Sequence, residues 1–131
     1  MPPPPRTTRT LAPAAALSLV WFYEGLWCKV WPGRADHRAI ISDLPLLPEP
    51  LVTPLMLGIG LAEAAIGLWV LSGRLPYAAA TVQTALIGVF NLGGLLFSPA
   101  TIDEPGRMLT ANLAIVALAW VVAARHAEAR S

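Results

Sequence analysis

Residues 51–71 read LVTPLMLGIGLAEAAIGLWVL, and this stretch decides the fold class. Its single ionisable side chain is Glu63, and a helix of this length covers about 30 Å, the thickness of the hydrocarbon core of a bilayer. Three further apolar runs of similar length lie at residues 11–31, 77–97 and 108–124. The four runs together predict an all-α integral membrane protein, an up-and-down bundle of four helices.

The composition agrees with a membrane protein. Hydrophobic residues make up 56% of the chain and charged residues 13%, whereas an ordinary soluble domain has roughly 25% charged residues. A soluble fold of 131 residues could not bury that much apolar surface. The net charge of +1 gives no indication of a nucleic-acid partner, and the single cysteine, Cys28, excludes an internal disulfide.

The segments outside the apolar runs define the organisation of the chain. We expect residues 1–10 to form a disordered N-terminal tail, residues 11–124 a single transmembrane domain, and residues 125–131 a C-terminal tail. In the first connection, residues 35–44 place their apolar side chains near one helical face, which suits a short helix on the membrane surface; an irregular loop is the equal alternative. The distribution of arginines favours, by a small margin, both termini in the cytoplasm.

Four polar side chains, one from each run, fall at a similar depth in the bilayer. A rise of 1.5 Å per residue puts them roughly 8–14 Å below the surface at which the first run ends: Glu24, Glu63, Asn91 and Asn112. Because polar groups in lipid are costly, we expect all four to meet at the bundle axis. Two roles are open for this polar layer. It could be a hydrogen-bonded layer that fixes helix register, or a site that holds a proton or the head group of a lipid or quinone.

The end of the first run carries a lysine and two tryptophans with roles of their own. Lys29 is either an anchor that extends to the head groups or a cation that turns inward to neutralise the glutamates or bind an anion. Trp27 and Trp31 are predicted interface anchors, because tryptophan is enriched where a membrane meets water. The sequence shows no ligand spacing typical of zinc or iron and no catalytic triad or phosphate-binding motif, so we expect no metal and no independent catalytic apparatus.

Short motifs in all four runs resemble the DoxX-like family of small bacterial membrane proteins. They are Y-x-G-x-x-x-K at residues 23–29, G-x-x-E-x-x-x-G at residues 60–67, NLGG at residues 91–94 and T-x-N-L at residues 110–113. Many family members have a histidine before the glycine of the first motif, where this chain has Glu24. The resemblance implies a four-helix, multi-pass protein of the bacterial inner membrane. It also implies a link to respiratory or redox assemblies.

These observations lead to competing functional hypotheses. The leading one is a small, non-catalytic membrane subunit that anchors or organises a redox-linked, quinone-associated complex through its polar layer. The alternative is a minimal proton-coupled transporter, or a lipid- or quinone-binding protein that acts alone; an enzyme acting on a lipid-soluble substrate is a third possibility. We expect no intrinsic cofactor, with quinone or lipid as the candidate ligand. The expected partners are the bilayer and either other membrane subunits or further copies of the chain.

Overall fold

The computed structural model describes residues 8–130, and within that range every regular element is helical. The elements are α1 (Thr8–Phe22), a π-helical continuation of it that we call the π segment (Tyr23–Val30), α2 (Ala35–Ser42), α3 (Val52–Ser72), α4 (Pro76–Phe97) and α5 (Pro105–Arg130), with short 3-10 turns at Glu49–Leu51 and Pro99–Thr101. The predicted all-α class is therefore confirmed. Four helical stretches are long and apolar enough to cross a membrane: Arg9–Val30, Glu49–Ser72, Pro76–Phe97 and Pro105–Arg130.

Helix α2 is the short helix that was one of the two alternatives for the first connection. Its Ile41 is buried against Val52 and Met56 at the start of α3. Arg38, also in α2, donates a hydrogen bond of 2.6 Å to the hydroxyl of Thr53. The packing and the hydrogen bond together fix α2 over one end of the bundle.

The turn between α3 and α4 reverses the chain over a few residues. Gly73 ends α3 with a φ of 67°, a left-handed conformation that glycine adopts without steric cost. Pro76 opens α4, where its missing N–H deprives the helix of no internal hydrogen bond. This pair of residues explains why so short a connection can join two spans.

The start of α1 and the end of α5 are joined by a hydrogen bond to a carbonyl group that a proline leaves without its helical donor. Pro13 lies inside α1 and has no N–H to donate to the carbonyl of Arg9, four residues earlier. Arg125 of α5 donates to that carbonyl oxygen at 2.6 Å. A second arginine, Arg130, reaches the carbonyl oxygen of Ser72 at 3.3 Å. The start of α1, the end of α5 and the α3–α4 turn therefore share one end of the bundle.

The outer helices extend further than the predicted domain limits. Helix α1 begins at Thr8, inside the predicted tail of residues 1–10, and α5 continues to Arg130, through most of the predicted tail of residues 125–131. Alanine has the highest helix propensity, and the alanines in the last turns of α5 favour this continuation. The remaining positions of both predicted tails, residues 1–7 and 131, lie outside the described residues.

The apolar side chains pack into two clusters at opposite ends of the bundle. One lies beneath α2; the other is built from α1, α3 and α5 and consists of Ala14, Leu17, Trp21, Ile66, Val70, Ala119 and Val122. The indole N–H of Trp21 donates to Oε1 of Gln83 at 2.9 Å, which links α4 to this second cluster. Along α3, Glu63 falls between the two clusters, and it is buried.

Candidate functional site

The site is built around a close crossing of the π segment and α3. A Cβ atom added to Gly25 would collide with the carbonyl oxygen of Gly60, and one added to Gly60 would lie 2.7 Å from the carbonyl oxygen of Gly25. The ring of Phe22 fills the space above Gly67 in the same manner, 2.7 Å from where a Cβ would stand. Small residues spaced along α3 thus let the two backbones touch, as they do at many helix crossings in membranes.

An ion pair lies beside this crossing. Nζ of Lys29 is 2.6 Å from Oε1 of Glu63, and the two side chains are only 9% and 4% exposed. The same ammonium donates to the carbonyl oxygen of Glu24 at 3.2 Å. Lys29 therefore turns inward, as in the second of its two interpretations, and its charge neutralises a carboxylate that would be costly to bury alone.

The π-helical backbone explains the contact of Lys29 with the carbonyl group of Glu24. An α-helix would place Lys29 about 140° around the axis from Glu24, on a different face. In a π-helix the backbone hydrogen bonds run from residue i to i+5, so residues five apart lie nearly above one another. The π segment spans both residues and brings the lysine side chain over the carbonyl of Glu24.

The expected meeting of four polar side chains at the bundle axis needs correction at Glu24. Its carboxylate does not join Glu63; Oε2 lies 3.7 Å from Nε2 of His37 in α2, and the side chain is 41% exposed. The Glu24 side chain points instead towards α2, which folds back over the π segment. Glu24 therefore belongs to the boundary of the bundle, one layer outside the ion pair.

The imidazole beside Glu24 is electrically neutral at physiological pH. Burial lowers the pKa of His37 to about 4, and the nearby charge of Lys29 acts in the same direction. The 3.7 Å contact with Glu24 therefore involves a neutral ring and not an ion pair. Next to it, a hydrogen bond from Arg34 holds the pKa of Asp36 below its usual value, with Nε and Oδ1 2.9 Å apart.

The two asparagines form a pair of their own between α4 and α5. Nδ2 of Asn112 donates to Oδ1 of Asn91 at 2.9 Å, and Nδ2 of Asn91 donates to the carbonyl oxygen of Ile87 at 2.6 Å. Within residues 8–130, no hydrogen bond or ion pair joins this pair to Lys29 or Glu63. Three members of the predicted polar layer thus fall into two separate pairs, Asn91 with Asn112 and Glu63 with Lys29.

The two tryptophans at the end of the first span lie on its surface. The side chains of Trp27 and Trp31 are both exposed, and Trp31 immediately follows the π segment. An exposed aromatic ring at the end of a span is where an interfacial anchor would lie. Their role as membrane anchors stays a prediction.

The structure also brings together a cluster of possible metal ligands that sequence spacing does not predict. The carboxylate of Glu24, the thiol of Cys28 and the imidazole of His37 have ligand atoms within 4.8 Å of one another. Glu24 and Cys28 are one turn apart in the π segment, a weak signal by itself, while His37 reaches them only because α2 folds back over that segment. Its distance along the chain from the other two follows no zinc-site pattern, so linear motifs could not find it.

The arrangement separates two kinds of chemistry. The Lys29–Glu63 pair is closed and neutral, and it holds the π segment against α3. The cluster of Glu24, Cys28 and His37, which we call the surface cluster, is partly open to the surface and offers oxygen, sulfur and nitrogen atoms to a ligand.

The comparisons with known proteins agree with the fold and the motifs. Residues 18–120, most of the 131-residue chain, match the family model described as the DoxX-like family. The matched range contains both polar pairs and the surface cluster. No match was found among curated proteins or among solved structures. With four candidate membrane spans and a family match over most of its length, this chain belongs to the DoxX-like family.

Proposed function

We propose that the protein is a small, non-catalytic membrane subunit that organises a larger, redox-linked membrane complex. The observation that carries the proposal is the outward face of α4. Ala78, Thr81, Ala85 and Gly88 are all exposed and follow one another at spacings of three and four residues, which places them in one row. Small residues let a second helix approach closely, whereas contact with lipid alone does not require them.

The position of α4 in the bundle leaves this row free for a partner. Helix α4 packs mainly against α5, and at Gly88 an added Cβ would meet no atom within 4 Å. The hydroxyl of Thr81 is bonded back to the carbonyl oxygen of Tyr77 at 2.8 Å, so the row offers a smooth apolar shape. The outward row of α3 is shorter and consists of Gly58, Ala62 and Ala65, whereas α5 has a row of equal length, Gly106, Thr110, Ala114 and Ala117. A transmembrane helix of another subunit would fit the row of α4, and the variant at Ala85 tests that face.

The interior of the bundle supports a scaffold more than a carrier. A proton-coupled transporter needs a carboxyl group that water can reach in turn from both sides of the membrane. Glu63 is 4% exposed and held by Lys29, so it lacks that access. Nothing in the part of the chain that the structure describes favours the transporter over the subunit. The redox character of the complex and its association with quinone follow from the resemblance to DoxX-like proteins.

The test is native mass spectrometry of the protein released gently from its own membranes. We expect the wild-type chain to carry another membrane protein in fixed stoichiometry, and Ala85→Leu to lose at least about nine-tenths of it. Ala16→Leu is the matched control, because it adds the same bulk to an exposed position of α1 and should keep the partner. A wild-type chain that is alone or only self-associated, or a partner that survives Ala85→Leu, would overturn the proposal.

A further inference from the structure

The surface cluster has the dimensions of a metal site. Oε2 of Glu24 and Nε2 of His37 are 3.7 Å apart, and the sulfur of Cys28 lies within 4.8 Å of a ligand atom of each. In a tetrahedral zinc site with bonds of about 2.0–2.3 Å, the ligand atoms are roughly 3.3–3.6 Å from one another. Side-chain adjustments of about 1 Å would therefore bring all three atoms onto one ion.

The ligands come from two elements whose relative position is fixed by other contacts. Glu24 and Cys28 belong to the π segment, which the Gly25–Gly60 crossing holds against α3. His37 belongs to α2, which its buried Ile41 anchors on the same helix. The site is thus preorganised by packing, and a metal ion would not have to assemble it.

The local charges suit a divalent cation. Two cations lie close by, but each already has a carboxylate partner: Lys29 is 2.6 Å from Glu63, and Arg34 is 2.9 Å from Asp36. The carboxylate of Glu24 and a thiolate at Cys28 would supply the two negative charges that neutralise the ion. On binding, the thiol releases its proton to water and no electron is transferred.

The three side chains of the surface cluster differ in their exposure to solvent. The thiol of Cys28 is buried, whereas the side chains of Glu24 and His37 are 41% and 22% exposed. An ion could therefore enter from the surface side, and three protein ligands would leave a fourth position for water or a group from a partner. This pattern of three protein ligands and one exchangeable position is the one found in open zinc sites.

We propose that Glu24, Cys28 and His37 bind one divalent transition-metal ion of the zinc type. Thiolate and imidazole ligands select zinc and similar ions over magnesium and calcium, which prefer oxygen alone. The site lies at the surface end of the first span and is independent of the outward row of α4. It therefore stands or falls separately from the role as a subunit.

The first test measures zinc bound by the full chain, purified in detergent with an affinity tag that lacks histidine. After removal of metals with a chelator, equilibrium dialysis should load about one zinc ion per wild-type chain. Cys28→Ser and His37→Gln should each weaken binding at least about tenfold, since even outer-shell changes cost 10–100-fold. The control Glu49→Gln alters an exposed carboxylate of the same connection and should bind as the wild type does. Equal binding by the wild type and Cys28→Ser, or no stoichiometric zinc in the wild type, overturns the proposal.

A second measurement needs no variant that could misfold. Cobalt(II) added to the metal-free wild-type chain should produce a thiolate-to-cobalt charge-transfer absorption, because Cys28 is the only cysteine. Added zinc should abolish that absorption by displacing the cobalt. Cobalt binding without a thiolate band would overturn the site as described.

Discussion

The two polar pairs inside the bundle both satisfy polar side chains between spans, but one pair is deeply buried and the other only partly buried. Lys29 and Glu63 are almost fully buried beside a backbone-to-backbone crossing, and they neutralise each other. Asn91 and Asn112 are only partly buried, and nearby Gly93 would have open space around an added Cβ. Charge compensation thus belongs to the deeply buried pair and a neutral amide bond to the partly buried pair. The contact of α1 and the π segment with α3 should therefore contribute more stability than the contact of α4 with α5.

The largest effect is expected from removing the cation of the ion pair. Lys29→Met leaves the carboxylate of Glu63 buried without a counter-charge, and such a loss costs about 3–5 kcal/mol. The free energy of unfolding in detergent micelles, measured by denaturant titration, checks this. Replacing both partners, in Lys29→Met/Glu63→Leu, should recover most of the loss, since an apolar pair of similar volume is often neutral. A double variant as unstable as the single one would show that the charge is not the cause.

The backbone crossing should be the next most sensitive feature. Gly25→Ala forces a methyl group against the carbonyl oxygen of Gly60, and overpacking of this kind costs about 1–3 kcal/mol. The same denaturant titration measures the change. Gly93→Ala is the matched control in α4, where nothing lies within 4 Å of the new atom, so the variant should be as stable as the wild type or slightly more so. Equal losses in the two variants would remove the contrast between the two sides of the bundle.

A smaller effect is expected at the amide pair. Asn112→Ala removes one hydrogen bond to Asn91, and interhelical bonds in membranes contribute about 0.6 and at most roughly 1.7 kcal/mol. A double-mutant cycle with Asn91→Ala should give a coupling energy in that range. A coupling as large as that between Lys29 and Glu63 would contradict the ranking of the two pairs.

The smallest effect is expected from an exposed ion pair between α2 and the 3-10 turn before α3. Arg38 and Glu49 are 3.6 Å apart, and both side chains are exposed, a setting in which ion pairs contribute about 0–1 kcal/mol. Glu49→Gln should therefore leave the unfolding free energy nearly unchanged at physiological salt. A loss comparable with that of Lys29→Met would show that burial is not what distinguishes the two ion pairs.

The spans were predictable because lipid leaves the backbone few choices. A chain in hydrocarbon must satisfy its backbone hydrogen bonds internally, so an apolar run of sufficient length becomes a helix. The four predicted runs overlap the four spans of the structure, and the apolar face of residues 35–44 made a short helix such as α2 one of two equal alternatives. The helix ends were less predictable, because Thr8 and Arg130 extend helices past the apolar runs, where propensity decides and hydrophobicity does not.

The depth of the polar side chains was predictable from the sequence, but their direction around the helix axis was not. Counting residues gives depth, which is why Asn91 and Asn112 were expected near each other and do form a hydrogen bond. Direction around the axis depends on helical register, and nothing in residues 23–30 marks a π-helix. That register brings the side chain of Lys29 over the carbonyl group of Glu24. The approach of His37 depends on the position of a separate helix and lies beyond any local pattern.

The buried ion pair also has a consequence for how the protein is made. Lys29 and Glu63 belong to successive spans, Lys29 at the end of the first and Glu63 near the middle of the second. A charged side chain at mid-span raises the free energy of insertion by about 2.5–3.5 kcal/mol on insertion-derived scales, so the second span alone would insert less favourably. Entering the bilayer together as a helical hairpin removes that cost, because each charge then meets its partner before it meets lipid. Biogenesis of the first span should therefore wait for the second, so that the translocation machinery releases the two as one unit.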